Sequence, residues 1–176
     1  MGPSRSHYDR LGSSYARAGR WRAAQMQQLL RKMQDLRFFV RRSYYIGLFA
    51  HACAVVGDVA PGLAAVDAAL DVVREHGEGW YEPELHRLRA NLLLADDRNQ
   101  KATAERALRQ ALYAARQSSA KSFELRTACD LARLWAESGE RQKARDLLTP
   151  VCDWFAEGFE TPDLKDGKVL LDELSG

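Results

Sequence analysis

Small residues recur along the chain at a spacing close to forty positions. Gly12, Ala50, Ala90 and Ala132 are separated by 38, 40 and 42 residues. Two further series follow with nearly the same steps: Gly19, Gly57, Asp97 and Gly139, then Ala24, Gly62, Ala104 and Ala144. Agreement between three series predicts an internal repeat of four units, each forming one layer of a stack that shares its core with its neighbours.

Each repeat unit has the pattern of a helical hairpin. The first helix ends in a polar turn such as RAGR, VVGD or ESGE, where glycine suits the left-handed conformation at a helix C-terminus. The small residues then lie where the two antiparallel helices approach closely. We expect Pro150 to kink or split the eighth helix near Thr149. The predicted helices are 5–18, 21–39, 43–56, 60–76, 82–95, 100–118, 121–137, 140–156 and 162–174.

The predicted fold is all-α, a right-handed α-solenoid of about four long helical hairpins that forms one domain over residues 1–176. The last helix has a clear start, because Thr161 can cap it and Pro162 suits its first position. This helix is expected to cover the open end of the stack. The predicted hairpin units are 5–40, 43–78, 81–119 and 121–157, followed by the capping helix 162–174.

Cysteine usage and hydropathy restrict the class of protein further. Cys53, Cys129 and Cys152 are odd in number, far apart and without a CxxC pair, which argues against a disulfide framework and for a reducing compartment. No signal peptide is evident, and the longest near-apolar stretch, IGLFAHACAVVG, is too short to span a bilayer. We therefore expect a cytoplasmic protein without a membrane segment.

The positive charge is concentrated near the N-terminus. Residues 1–45 contain ten Lys/Arg and two Asp/Glu, a balance of +8, whereas the remainder contains sixteen and twenty-two, a balance of −6. A basic segment with aromatic residues, RKMQDLRFFVRRSYY, could bind nucleic acid. However, Met33, Leu36, Phe39 and Val40 fall at helical spacing, which indicates a core stripe and a solvated charged face. Nucleic-acid binding is not expected.

The segment EPELH, residues 82–86, is the strongest candidate for a metal or acid–base site. Glu82 and His86 are four residues apart and share a helix face, but a zinc site usually needs three or four protein ligands. The other histidines fall in other units. Pro83 and the flanking acidic residues instead suit the first turn of a helix. Since no nucleophile motif is present either, we predict no metal, no cofactor and no enzymatic activity.

Two adjacent aromatic residues, Trp80 and Tyr81, precede this helix. They could form a stacking platform for a ligand. The alternative is a hydrophobic contact that fixes one hairpin to the next, and aromatic residues at helical junctions are usually of this kind. We therefore expect them to pack between consecutive hairpins.

Residues 128–148, ACDLARLWAESGERQKARDLL, resemble a tetratricopeptide repeat, although the ordinary period of that repeat is about 34. The longer period here is similar to the MalT-like region at the C-terminus of bacterial adenylate-cyclase-linked signalling ATPases. That family also has a P-loop ATPase domain, whereas this sequence contains no GxxxxGK[ST]. The chain thus resembles the repeat segment alone, either as a free-standing product or as a fragment of a longer ancestor.

The resemblance implies that the first helices of the hairpins line a concave groove. Arg87 and Asn91 resemble the basic–Asn pair with which some tetratricopeptide domains clamp a peptide carboxylate, and guanidinium groups suit such a ligand. The alternative is a solvated or internally paired polar face, to which Glu84 and Glu124 would contribute. The predicted groove residues are Tyr44, His51, Glu84, Arg87, Asn91, Arg126 and Arg133.

The predicted function is non-enzymatic binding of a protein or peptide partner in bacterial signalling or transcription control. The partner is expected to have an acidic or carboxylate group. The resemblance implies the cellular setting, and the repeat implies the scaffold. Two alternatives remain open. One is sensing of a small ligand in the groove, and the other is self-association, for example as a homodimer, through an apolar edge of the stack.

Overall fold

The computed structural model describes residues 41–77 and 79–175, together with the helical residues Gln25, Gln28 and Lys32. Within these ranges the chain forms only helices and their connections, without a β-strand, so the predicted all-α class is confirmed. The first two predicted helices, 5–18 and 21–39, otherwise lie outside the described residues.

Seven α-helices occur in the described residues, with bounds within three residues of the predicted ones. They are α1 (Arg42–Val56), α2 (Val59–His76), α3 (Glu82–Asp96), α4 (Lys101–Gln117), α5 (Lys121–Glu137), α6 (Arg141–Asp153) and α7 (Pro162–Ser175). The chain divides after Glu78 into two compact units, which are described separately.

The first unit contains the hairpin α1–α2. Gly57 ends α1 with φ of 73°, a left-handed conformation that glycine adopts without a steric penalty. The next amide, that of Asp58, donates to the carbonyl of Cys53 at 2.9 Å and so satisfies the end of the helix. Ala50, Cys53 and Val66 are fully buried between the helices.

The second unit contains the hairpins α3–α4 and α5–α6 and the final helix α7. Helix α5 also packs against α3, and α7 packs against both α5 and α6. The small residues of the sequence repeat, Ala90, Ala104, Ala132 and Ala144, have no exposed surface. They therefore lie at the close contacts between helices where the sequence predicted them, since a larger side chain there would separate the backbones.

The connection between α3 and α4 accounts for the one irregularity of the repeat. The polar segment around Asp97 forms a short 3-10 helix, Arg98–Gln100, and the Asp97 carboxylate accepts a hydrogen bond from the amide of Asn99 at 2.8 Å. Aspartate commonly stabilises a turn in this way. The step from Asp97 to Ala104 is seven residues, two more than the corresponding step in the other units. The connection accommodates these two residues, and both flanking helices remain regular.

Pro150 does not split the eighth predicted helix. Helix α6 is continuous from Arg141 to Asp153, with Pro150 inside its last turns, although it ends three residues before the predicted position 156. Proline removes one backbone hydrogen bond and crowds the preceding turn. Here Pro150 is exposed, and so is Asp146, the residue whose carbonyl loses its partner, so water can solvate that carbonyl.

Tyr81 packs between the start of α3 and the following hairpin, α5–α6. It is buried and makes an edge-to-face contact with Phe123 of α5 at a ring-centroid distance of 5.8 Å. Trp80 contacts Tyr81 but keeps 43% of its surface exposed. The predicted packing between hairpins therefore holds for Tyr81, while Trp80 lies at the surface.

Residues 41–77 and 79–175 contain no candidate membrane span. None of the helices there combines the length and the apolar character needed to cross a bilayer.

Candidate functional site

Arg87 on α3 is bound by two carboxylates. Its Nε and Nη2 atoms donate to Glu84 of the same helix at 2.9 and 2.6 Å, and its Nη1 donates to Asp130 of α5 at 2.8 Å. Asn91 donates to the same Asp130 oxygen at 3.1 Å. The Arg87–Asn91 pair therefore does bind a carboxylate, and that carboxylate belongs to the protein itself.

This arrangement is shielded from water. The Arg87 side chain is 15% exposed, that of Glu84 7% and that of Asp130 19%. Burial alone would lower the pKa of Arg87, but the hydrogen bonds and charges of Glu84 and Asp130 outweigh this effect and raise the pKa. The guanidinium is thus held permanently charged, in a geometry that satisfies most of its donors.

Two further arginines on α5 repeat the pattern toward α7. Arg126 donates from Nε to Asp163 at 2.6 Å, and Arg133 donates from Nη2 to Asp166 at 2.5 Å. Arg133 also lies 3.6 Å from the second oxygen of Asp130. We use the term arginine–aspartate ladder for the resulting series of pairs across α3, α5 and α7: Arg87–Asp130, Arg126–Asp163 and Arg133–Asp166.

The structure places five of the seven predicted groove residues at this ladder. Glu84, Arg87 and Asn91 lie on α3, and Arg126 and Arg133 lie on α5. The other two belong to α1 in the first unit, where Tyr44 is partly exposed and His51 is exposed. The described contacts within α1 include an edge-to-face pair between Tyr44 and Tyr45.

The acidic partners of the ladder were not predicted from the sequence. Each arginine of the ladder forms an ion pair inside the protein, and the three partners are Asp130, Asp163 and Asp166. One signal for them exists. Asp163 and Asp166 are spaced by one helical turn in the capping helix, and Arg126 and Arg133 by two turns in α5, so both sets can form one stripe on their helix.

A second buried carboxylate fixes the start of α5. Glu124 accepts hydrogen bonds from Arg116 of α4 at 2.8 Å and from Lys121 at 2.7 Å. Burial alone would raise the pKa of Glu124, but these two cations outweigh it and lower the pKa. Glu124 was expected to contribute to an internally paired groove face, but its partners are Arg116 and Lys121 and not the groove arginines.

The EPELH segment forms the start of a helix, as the sequence indicated. Helix α3 begins at Glu82, with Pro83 and Glu84 in its first turn. His86 Nε2 lies 3.6 Å from Glu82 Oε1, and its buried Nδ1 atom has no hydrogen-bond partner among the described residues. Within those residues no group of three or more potential metal ligands comes together.

The environment of His86 predicts a loss of stability in weak acid. Burial lowers the pKa of His86, with Arg89 contributing, whereas Glu82 raises it in part. A histidine whose pKa is lower in the folded state than its ordinary 6.5 contributes full stability above pH 6.5 and less as the pH falls toward the folded pKa. We expect the free energy of unfolding, measured by urea titration, to fall from pH 7 to 5.5.

Two variants separate this effect from general acid denaturation. His86→Gln should flatten the pH profile in this range. Glu82→Gln should steepen it, because it removes the charge that favours the imidazolium. An unchanged slope in both variants would show that His86 is not the titrating group.

The cysteine thiols have no nucleophilic environment. All three are buried. Burial, assisted by nearby acidic groups, raises the pKa of Cys53 to about 11 and that of Cys129 to about 12, and the pKa of Cys152 is raised by the same causes. Because the thiolate is the reactive form, these residues are held in the thiol form and act as small core residues.

Two pockets open at the surface of the second unit. One has a volume of about 380 Å³ and lies beside Arg126, with Leu125, Phe155 and Pro162 in its wall. The other has a volume of about 350 Å³ and lies between α3 and α4, lined by Glu82, His86, Arg109, Gln110, Tyr113 and Ala114. Both volumes fall within the range of small-ligand pockets.

The chain matches no family model and no curated protein.

Proposed function

We propose that the chain is a non-enzymatic scaffold that binds a protein or peptide partner bearing a carboxylate. In this proposal its hairpins belong to a right-handed, tetratricopeptide-like α-solenoid of about four units, and its setting is cytoplasmic signalling or transcription control in bacteria. The repeat spacing, the hairpins α1–α2, α3–α4 and α5–α6, and the final helix α7 support the architecture. The setting rests on the resemblance of the sequence alone.

The observation that carries the binding proposal is the position of Arg126. Its side chain is 40% exposed and uses Nε for Asp163, and no hydrogen bond from its two Nη atoms occurs within the described ranges. Arg126 lines a pocket whose wall also contains the apolar residues Leu125, Phe155 and Pro162. The acidic residues Glu157 and Asp163 lie in the same wall, and Asp163 is already paired with Arg126. A half-exposed guanidinium with unused Nη donors beside apolar side chains suits a ligand that has a carboxylate next to an apolar group.

Arg133 offers a second donor on the same helix, two turns away. Its side chain is 41% exposed. Arg87 and Asn91 are less suited to this role, because Asp130 already occupies them. The proposed binding surface is therefore the α5–α7 part of the ladder and not its α3 part.

The test uses fluorescently labelled peptides with a free C-terminus, an apolar residue and an adjacent acidic residue. We expect selection from a displayed C-terminal peptide library to enrich this class. Arg126→Ala should weaken binding of the enriched peptide about tenfold or more, as expected for a lost hydrogen bond to a charged group. Fluorescence polarisation at two salt concentrations measures the loss.

The matched control is Arg106→Ala, an exposed arginine on α4 whose described hydrogen bond is to Thr103. This variant should bind the peptide as the unmodified protein does. Selection of peptides without acidic or carboxylate character, or equal binding by the Arg126→Ala variant, would rule the proposal out. Arg87→Glu is unsuitable as a test, because it would also disrupt a buried ion network.

A further inference from the structure

The pocket between α3 and α4 is separate from the arginine–aspartate ladder. Glu82 and His86 lie on the opposite side of α3 from Arg87 and Asn91. The two pairs are separated by nearly half a turn around the helix axis. The wall across the pocket comes from the second half of α4. A ligand here would therefore be recognised independently of the proposed peptide surface.

The two walls of this pocket carry opposite charges. Glu82 on α3 presents a carboxylate that is 38% exposed, and its described contact is the long one to His86. Arg109 on α4 presents a guanidinium that is 58% exposed and uses Nη2 for Glu105 at 2.7 Å. An acceptor on one side and a donor on the other suit a ligand with a cationic and an anionic group close together.

The remaining lining groups are flat or polar and lack internal partners. Tyr113 keeps 67% of its surface exposed, so most of its ring is open to a ligand. Neither its hydroxyl nor the Gln110 amide makes a hydrogen bond within the part of the chain that the structure describes. The tyrosine ring offers a stacking face, and the amide can donate and accept.

His86 closes the pocket without adding charge. Its side chain is 14% exposed, and its orphaned Nδ1 would need a buried acceptor before the ring could hold a second proton. Glu82 and Arg89 act on the charge of His86, and Arg109 lines the same pocket. A neutral imidazole does not repel an ammonium group bound by Glu82.

We propose that this pocket binds a free α-amino acid with a flat side chain. The ammonium group lies against Glu82, the carboxylate against Arg109, and the side chain against Tyr113. The pocket volume of about 350 Å³ accommodates such a molecule. This site makes the second unit a sensor of a small metabolite in addition to a scaffold.

The experiment begins with thermal shifts of the full chain in the presence of each of the twenty amino acids. We expect phenylalanine, tyrosine or tryptophan to raise the midpoint, because a ligand that binds only the folded state stabilises it. Isothermal titration then compares the best ligand with its N-acetyl and carboxamide derivatives. Each derivative removes one charge and should bind about tenfold more weakly or worse.

Variants locate the site. Tyr113→Ala changes an exposed residue, so folding should be preserved, and the affinity should fall about tenfold for a lost stacking contact and lost apolar surface. Glu82→Gln should weaken the amino acid and leave the N-acetyl derivative unaffected. The control is Arg106→Gln, which changes an exposed residue of α4, the helix that contains Tyr113. This variant should bind the amino acid normally.

Three results would overturn the proposal. They are no thermal shift with any amino acid, equal binding of the charged ligand and its derivatives, and equal binding by the Tyr113→Ala variant. None of these results bears on the peptide surface at Arg126. Equally, failure of peptide binding there leaves this pocket untouched.

Discussion

Replacing Arg87 with methionine should destabilise the protein by about 3–5 kcal/mol, the range for breaking a buried ion pair by removing one partner. Methionine is close in length to the arginine stem, so the loss comes mainly from charge. Glu84 and Asp130 would both remain as carboxylates that are less than one-fifth exposed and lack their guanidinium. Urea unfolding followed by circular dichroism measures the change.

Neutralising Glu84 and Asp130, the two carboxylates left without their guanidinium, should restore part of the lost free energy of unfolding. The triple variant Arg87→Met, Glu84→Gln, Asp130→Asn is expected to be more stable than Arg87→Met alone, because no buried charge is left unpaired. Arg106→Met on α4 is the matched control and should change stability by less than about 0.5 kcal/mol, as exposed substitutions usually do. A triple variant no more stable than the single one would assign the effect to packing instead.

Replacing Gly167 with alanine should destabilise the protein by about 1–3 kcal/mol through overpacking. In an exposed helix the same change stabilises by about 1 kcal/mol, so the sign of the effect is informative. A Cβ atom at Gly167 would lie 3.0 Å from Cys152 Sγ, 3.2 Å from Leu125 Cδ1 and 3.5 Å from Cys129 Sγ. The buried side chains of Cys152 and Leu125 would have to give by a few tenths of an ångström.

A double-mutant cycle identifies the cause. Cys152→Ala removes the nearest sulfur, so it should cost less in the Gly167→Ala background than in the unmodified protein. Asp172→Ala, at an exposed position of the same helix, serves as the control for helix propensity. If the two substitutions add without coupling, the close contact at Gly167 does not determine the stability of α7.

Most of the helical architecture could be predicted because it depends on local signals. Gly57 and Gly139 mark helix ends, and both adopt positive φ. The buried Ala90 and Ala132 mark close helix contacts. Such features act within a few residues of the backbone position they control. The effect of Pro150 was overestimated, because its exposure to solvent depends on packing that the sequence pattern does not reveal.

The candidate site could be predicted only in part. The repeat spacing predicted Arg87, Asn91 and Arg133 as groove residues, and the structure brings all three close to Asp130. It did not reveal that Asp130 would occupy the first two, because that pairing joins residues about forty positions apart and depends on the axial offset between α3 and α5. Exposure decides which arginines are free to bind a partner, and exposure is a property of the packed structure.

The arginine–aspartate ladder also has a direction. Each arginine lies on the earlier helix and each aspartate on the later one, from α3 to α5 and from α5 to α7. Helix α7 contains no arginine, and its Lys165 and Lys168 contact Glu160 and Phe159. Another layer placed on α7 would find no guanidinium to receive its aspartates. The ladder therefore makes the two sides of this helix group chemically different, since α3 contributes a guanidinium and α7 contributes carboxylates.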